Sequence, residues 1–310
     1  MTLYIFNPEH DMCLANGDPH YVPPASALRF AICGRSVMRV LYGENVDVVD
    51  VEGCSRWFET HRDSQVEMVV PWGWDMRVVA ALDKCCWNKE FIPSTVELPG
   101  NEWLVRLRHF QHRKSFVPLQ KHAEYVESLE SVRSLVLKKK RVVLKAPLSG
   151  AGRGLRWIDE SMSQHDENWV SKTISMQNGV VVEERLDVAE DFALEFMFIN
   201  GVAHLTGYSL FKTQGGVYRN NILLYDNEIK ERVGIRDGDV VDLKRWLMLN
   251  MDFYRNGPVG IDMMKTRDGR IVVGEINVRH TMGMVAHEFL KKHPERHGSL
   301  WSPQEMCTDV

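Results

Sequence analysis

Two rhythms of apolar residues alternate along the chain: short β-branched runs, and longer stretches with apolar side chains three and four positions apart. The runs "LYIF" (3–6), "VDVVDV" (46–51) and "VEMVV" (66–70) predict three strands. A helix is predicted over 25–41, and a second follows "PWGWD" over 75–86. Strands alternating with helices predict a parallel α/β unit, whose ligands lie in loops beyond the carboxyl ends of the strands. The loops opening at Asn7 and Pro71 are therefore candidate substrate loops, and they carry Glu9, His10, Asp11, Trp72, Trp74 and Asp75.

Beyond residue 100 the pattern changes. "NEWLVRLRHFQHRK" (101–114) sets Trp103, Leu104, Leu107 and Phe110 at helical spacing, and another helix is predicted over 121–131. Strands are predicted at 142–146, 180–186, 192–201 and 202–211, with a polar connection between the first two and an Asn200-Gly201 hairpin turn between the last two. A helix over 242–254 precedes "GPVGIDMMKTRDGRIVVGEIN", two strands joined at Asp268-Gly269. His287, His293 and His297, with Pro294 among them, are spaced poorly for a metal site.

Composition narrows the function. The 310 residues suffice for two or three packed units, and no internal repeat is detectable. With 38 basic against 42 acidic residues, scattered rather than clustered, nothing is built to neutralise a nucleic-acid backbone. The opening "MTLYIFNPEHDMCL" has no basic leader and no window approaches the ~18 apolar residues of a membrane span, so a cytoplasmic protein without membrane contact is expected. Six cysteines with no CxxC pair read as free thiols.

Candidate chemistry collects in three clusters. In "VVLKAPLSGAGRGLRWI", Lys145 ends a strand and Ser149, Gly150, Gly152, Arg153 and Gly154 form a loop whose backbone N–H groups can approach phosphate oxygens. It is neither a Walker A loop nor a dinucleotide-binding GxGxxG. Downstream, "VEERLDVAEDF" breaks a strand into carboxylates, of which Glu183 and Glu190 suit an adenine amine and ribose hydroxyls. In the last hairpin Glu275 and Asn277 are two apart and share a face, with Asp262 brought beside them by pairing, an oxygen-rich set suited to magnesium.

With these clusters in this order, residues 114–284 resemble the ATP-grasp superfamily, and the preceding segment is similar to that family's N-terminal α/β domain. The resemblance implies an N-terminal parallel α/β unit over 1–100, then a two-lobed α+β ATP-grasp fold with a small lobe over 101–190 and a large lobe over 191–310. It places Lys114 and Lys145 as the two nucleotide lysines, residues 149–154 as the lid, Glu183 on the adenine amine, Arg185 and Leu186 as hinge backbone contacts, and Glu190 on the ribose. Asp262, Glu275 and Asn277 fall on the ligands of Mg2+ or Mn2+, and the E-x-N-x-R pattern ending at Arg279 is similar to the biotin carboxylase and carbamoyl phosphate synthetase branch. Gly260 stands where D-alanine ligases carry an arginine, which leaves Arg279, then Arg219 or Lys212, to stabilise the transition state. The activity implied is an ADP-forming carboxylate–amine ligase working through an acyl phosphate on ATP, a small acid and an amine; a kinase and a non-catalytic ATP-binding regulator are the alternatives, and homodimerisation is left open.

Overall fold

The computed structural model describes residues 1–61, 65–85, 98–150 and 154–307. The first segment runs β1 (Thr2–Ile5), α1 (His10–Asn16), α2 (Ala25–Cys33), α3 (Ser36–Tyr42), β2 (Val48–Val49), α4 (Cys54–Thr60), β3 (Met68–Pro71) and α5 (Met76–Cys85). Its strands pair in parallel in the order β2-β1-β3, as alternation predicts. The helix expected over 25–41 is broken at Gly34, where a Cβ would stand 2.7 Å from the Phe6 ring and 2.9 Å from the Phe30 carbonyl. The chain can pass so close to Phe6 only without a side chain.

The next segment comprises α6 (Asn101–Gln111), β4 (Ala123–Val126), α7 (Leu129–Lys139), β5 (Arg141–Lys145), β6 (Leu155–Asp159), α8 (Gln164–Gln177) and β7 (Val180–Glu184), with an antiparallel sheet in the order β4-β7-β5-β6. The helix expected over 121–131 is wrong: residues 123–126 pair with β7, and Ser128 caps the following helix by accepting from Ser131 N. The polar connection after 146 holds both a strand and a helix. α8 starts from a Ser163/Asp166 capping box, whose polar residues had masked its periodicity.

The last segment comprises β8 (Val188–Ile199), β9 (Val202–Gln214), β10 (Val217–Ile222), α9 (Asp226–Val233), α10 (Asp237–Asn250), β11 (Gly257–Thr266), β12 (Ile271–Asn277), α11 (Met282–Lys292) and β13 (Leu300–Trp301). Its sheet runs β12-β11-β8-β9-β10-β13 with every neighbouring pair antiparallel. Asn200 and Gly201 both have positive φ, the geometry of the expected two-residue turn. One face of this sheet, with Phe192, Leu194, Phe196, Ile261 and Met263, is packed into the largest apolar cluster together with Leu243 and Leu247 of α10. A second cluster joins the two ends of the chain: Phe6, Met38 and Trp72 pack with Leu223, Phe289, Leu290 and Trp301. Among the described residues Cys13, Cys33, Cys54, Cys85 and Cys307 are free thiols, Cys86 lies outside them, and no helix is long and apolar enough to cross a membrane.

His280 ties the first segment to the site described next. Its Nδ1 donates to the Trp72 carbonyl at 3.0 Å, so the neutral ring's Nε2 accepts from the Tyr42 hydroxyl at 2.6 Å. Burial holds its pKa down at about 4. The unfolded chain therefore takes up this proton first, and stability is lost as pH falls from about 6.5 toward 4, by on the order of 3 kcal/mol for a shift of this size. Urea midpoints measured across that range should fall more steeply for the natural protein than for His280→Gln; equal slopes would show that the ring is not buried neutral.

Candidate active site

The face of the six-stranded sheet opposite its apolar core collects carboxylates. Pairing sets Asp262 opposite Glu275 and Gly260 opposite Asn277, and β8 extends the two rows with Ala193 and Glu195. On β9 the rows continue to Ser209 and Gly207. Residues two apart on a strand share a face, so Glu275, Asn277, Asp262 and Glu195 project from one side. The register shifts just after Asp262 and just after Glu195, bulges that re-aim side chains within a sheet.

Asn277 Nδ2 donates to Asp262 Oδ2 at 3.1 Å, and Arg113 Nη2 to Glu275 Oε1 at 2.5 Å. Burial first, then the charges of Glu275 and Glu195, pushes Asp262 up to about 8. Such a carboxyl is short of positive charge, which a divalent cation could supply. No three His, Cys, Asp or Glu residues form a metal cluster among the described residues. Two carboxylates and an amide fit instead an ion that keeps water and phosphate oxygens as its remaining ligands.

A cleft of about 710 Å³ runs from this face to the four-stranded sheet. Lys145 and Glu183 line it, and Lys145 Nζ lies 2.6 Å from Glu183 Oε2. Glu183 is 3% exposed and its Oε1 has no hydrogen-bond partner among the described residues. Arg185, Leu186, Ser149 and Gly150 line the same cleft, and a bond from Ala146 N to the Gly154 carbonyl closes the base of the loop. Gly152 and Arg153 lie outside the described residues.

Several predicted residues are placed elsewhere. Lys114 is exposed, with Nζ on Glu127 at 2.7 Å and over the Tyr125 ring, and lines neither this cleft nor the smaller cavity beside it. Its neighbour Arg113 is buried in the cleft wall, donating to Ala146 O, Ser149 Oγ and Glu275. Glu190 turns away to Arg232 and Lys212, while Asp191, on the other face of β8, lines the cleft and accepts from Thr213. Lys212 and Arg219 are exposed and line neither cavity. Spacing along the sequence singles out one residue of each adjacent pair, 113/114 and 190/191, and a strand's alternation or a single turn decides which one faces inward.

The smaller cavity, of about 380 Å³, adjoins the cleft and shares with it Asp11, Gly150, Asp262, Asn277 and Arg279. Arg279 donates through Nε and Nη2 to Asp11 at 2.9 and 2.8 Å and to Asn277 Oδ1 at 2.9 Å. Burial opposes charge on Asp11, but Arg279 and His10 hold its carboxyl below the usual range. Glu9 and Trp72 line the cavity. Glu9 pairs with Arg77 at 2.6 Å, and burial still raises it to about 7. His10, Trp74 and Asp75 line neither cavity: His10 Nε2 donates to the Trp74 carbonyl at 3.0 Å, and Asp75 Oδ1 accepts from Arg77 N and Val78 N at the start of α5. Glu195, Ser209 and Thr281, absent from the sequence-derived set, line the smaller cavity.

No family model matches this sequence, and no curated protein matches it. Solved structures do match. The D-alanyl-alanine synthetase A of Vibrio cholerae is similar at 13% identity and TM-score 0.53, over 99% of this chain and 97% of that one. Biotin carboxylase from Campylobacter jejuni in a β-γ-ATP complex gives 11% and 0.54, over 93% and 67%. N5-carboxyaminoimidazole synthetase from Staphylococcus aureus complexed with ADP gives 12% and 0.52, over 93% and 76%. The chain has the ATP-grasp fold, a mixed architecture with one parallel and two antiparallel sheets among the described residues.

The placement of Arg113 and Lys114 separates them experimentally. Arg113→Ala should weaken binding of a fluorescent ATP analogue by roughly tenfold or more and destabilise the fold by about 3 kcal/mol, because Glu275 loses a buried partner. Lys114→Ala should change neither by more than the small amount typical of an exposed ion pair. Titration and urea melts of both variants check this, and the reverse ranking would overturn the assignment.

Proposed function

We propose that this protein is an ATP-dependent ligase that joins a carboxylic acid to an amine or related nucleophile through an acyl phosphate, releasing ADP and phosphate. The observation that carries the reading is the meeting of two cavities at one acidic sheet face, with Arg279 lining both. The larger is the nucleotide site. Glu183 Oε1, buried without a donor, takes the adenine amine, and Lys145, already held beside it, meets the phosphates. Arg185 and Leu186 border the base, Asp191 is better placed than Glu190 for the ribose, and Ser149 and Gly150 border the phosphates.

Asp262, Glu275 and Asn277 hold Mg2+ or Mn2+, which when bound supplies positive charge to the phosphate oxygens. Arg279 sits where the two cavities join and is oriented by Asp11, so its guanidinium faces the transferring phosphoryl group. Positioning and charge neutralisation, with water kept out by the loop, are what such a transfer requires of a protein. Residues 1–100 then contribute the wall of the acid and amine site, 101–190 the lid and hinge, and 191–310 the metal face. Lys212 and Arg219 have no part in this scheme, since neither lines either of these two cavities.

Incubation with Mg2+, ATP, pooled carboxylates and hydroxylamine should yield ADP and a hydroxamate. AMP as the product would overturn the acyl-phosphate route, and ADP without hydroxamate would favour phosphoryl transfer to a stable product. Glu275→Ala should lower magnesium-dependent turnover by roughly 100-fold or more.

A further inference from the structure

Charge pairing in the smaller cavity leaves one carboxylate over. Its acidic and basic lining residues are Glu9, Asp11, Glu195, Asp262 and Arg279. Arg279 is taken by Asp11, Glu9 is matched from behind by Arg77, and Asp262 belongs to the cation site formed with Glu275 and Asn277. Glu195 remains. It is 1% exposed and, among the described residues, makes no ion pair; its oxygens accept from Ser209 Oγ at 2.9 Å and Thr281 Oγ1 at 2.8 Å, both neutral donors. The room it occupies is reserved for it, since a Cβ on Gly283 would collide with Oε1 and one on Gly260 would come within 3.1 Å of Oε2. The charges that act on it, His287 and Arg279, are each already paired, with Asp226 and Asp11, so this buried carboxylate has no charged partner of its own among the described residues. A second, independent sign of a missing donor stands in the same cavity: Glu9 Oε2 is buried with no hydrogen-bond partner among the described residues.

We propose that Glu195 is the specificity residue of this cavity and binds the ammonium group of the acid substrate, which is a compact amino acid with an apolar side chain. The proposal rests on the reading of the adjoining cleft as the ATP site of a ligase. Glu195 lies one strand across and two residues along from Asp262, a diagonal of about 8 Å between backbones. One small molecule therefore reaches both, its ammonium at Glu195 and its carboxylate beside Asp262 and Arg279, where phosphate is transferred. Met12, Phe30, Trp72 and Met282 give the remaining wall its apolar character and receive the side chain. Ser209 and Thr281 donate to Glu195 and so hold it acceptor-only toward the cavity.

The test is calorimetric titration of the full chain, saturated with Mg2+ and a non-hydrolysable ATP analogue. The probes are leucine, methionine and phenylalanine in both enantiomers, and the matching acids that lack the amino group. At least one amino acid should bind, its des-amino partner about 10- to 100-fold more weakly, and Glu195→Gln should weaken the amino acid by a similar factor while still binding the ATP analogue. Retained analogue binding shows that the variant is folded, and the des-amino comparison needs no variant at all. Equal binding of acid and amino acid, an unaffected Glu195→Gln, or no binding by any of the amino acids would overturn the proposal. Hydroxylamine trapping with the same probes separates the two readings: selective, Glu195-dependent binding with no hydroxamate would sustain this assignment and defeat the ligase.

Discussion

Negative charge in excess of the positive charge around it is the constraint from which the site follows. Asp262, Glu275 and Glu195 are brought to one sheet face by strand pairing alone, before any ligand arrives. Like charges held close on a buried face oppose ionisation, as the raised Asp262 carboxyl shows. Each neighbouring feature answers that repulsion. Arg113 reaches across from the segment before β4 to Glu275, Asn277 gives an amide hydrogen to Asp262, and the hydroxyls of Ser209 and Thr281 hold Glu195.

The same logic orders the larger cleft. Lys145 and Glu183 stand on adjacent antiparallel strands, in rows that share a face, and neutralise each other. A ligand bearing both an amine and phosphates meets both partners of that pair, whereas a simple anion meets only one. Arg279 is treated likewise, its planar guanidinium held by two parallel bonds to Asp11 from the first segment. An arginine fixed at both ends of its fork has little freedom left to lose.

Much of the fold was legible because its signals are local. The three parallel strands, the Asn200-Gly201 turn and the last hairpin each rest on a few neighbouring residues, and all three are present. Where tertiary contacts decide, reading failed: the break at Gly34 depends on Phe6, and β4 is a strand because β7 lies beside it. In the site the loop, Lys145, Glu183 and the hairpin carboxylates could be found by spacing. Arg113 and Asp191 could not be told from Lys114 and Glu190 without knowing which way the backbone faced. Glu195 was concealed for another reason. It sits in "FALEFMFI", an apolar strand interior, where a lone charge is itself the available signal.

The apolar cluster that holds Phe6, Met38 and Trp72 against Phe289, Leu290 and Trp301 spans nearly the whole chain. Three parallel strands, one of them two residues long, make too small a sheet to secure the first segment by themselves. During synthesis that segment leaves the ribosome more than 200 residues before Phe289, Leu290 and Trp301, the side chains that cover one of its faces. Its final docking must therefore be a late event, and for most of the time of translation an aromatic surface around Phe6 and Trp72 stays available to chaperones or to other nascent chains.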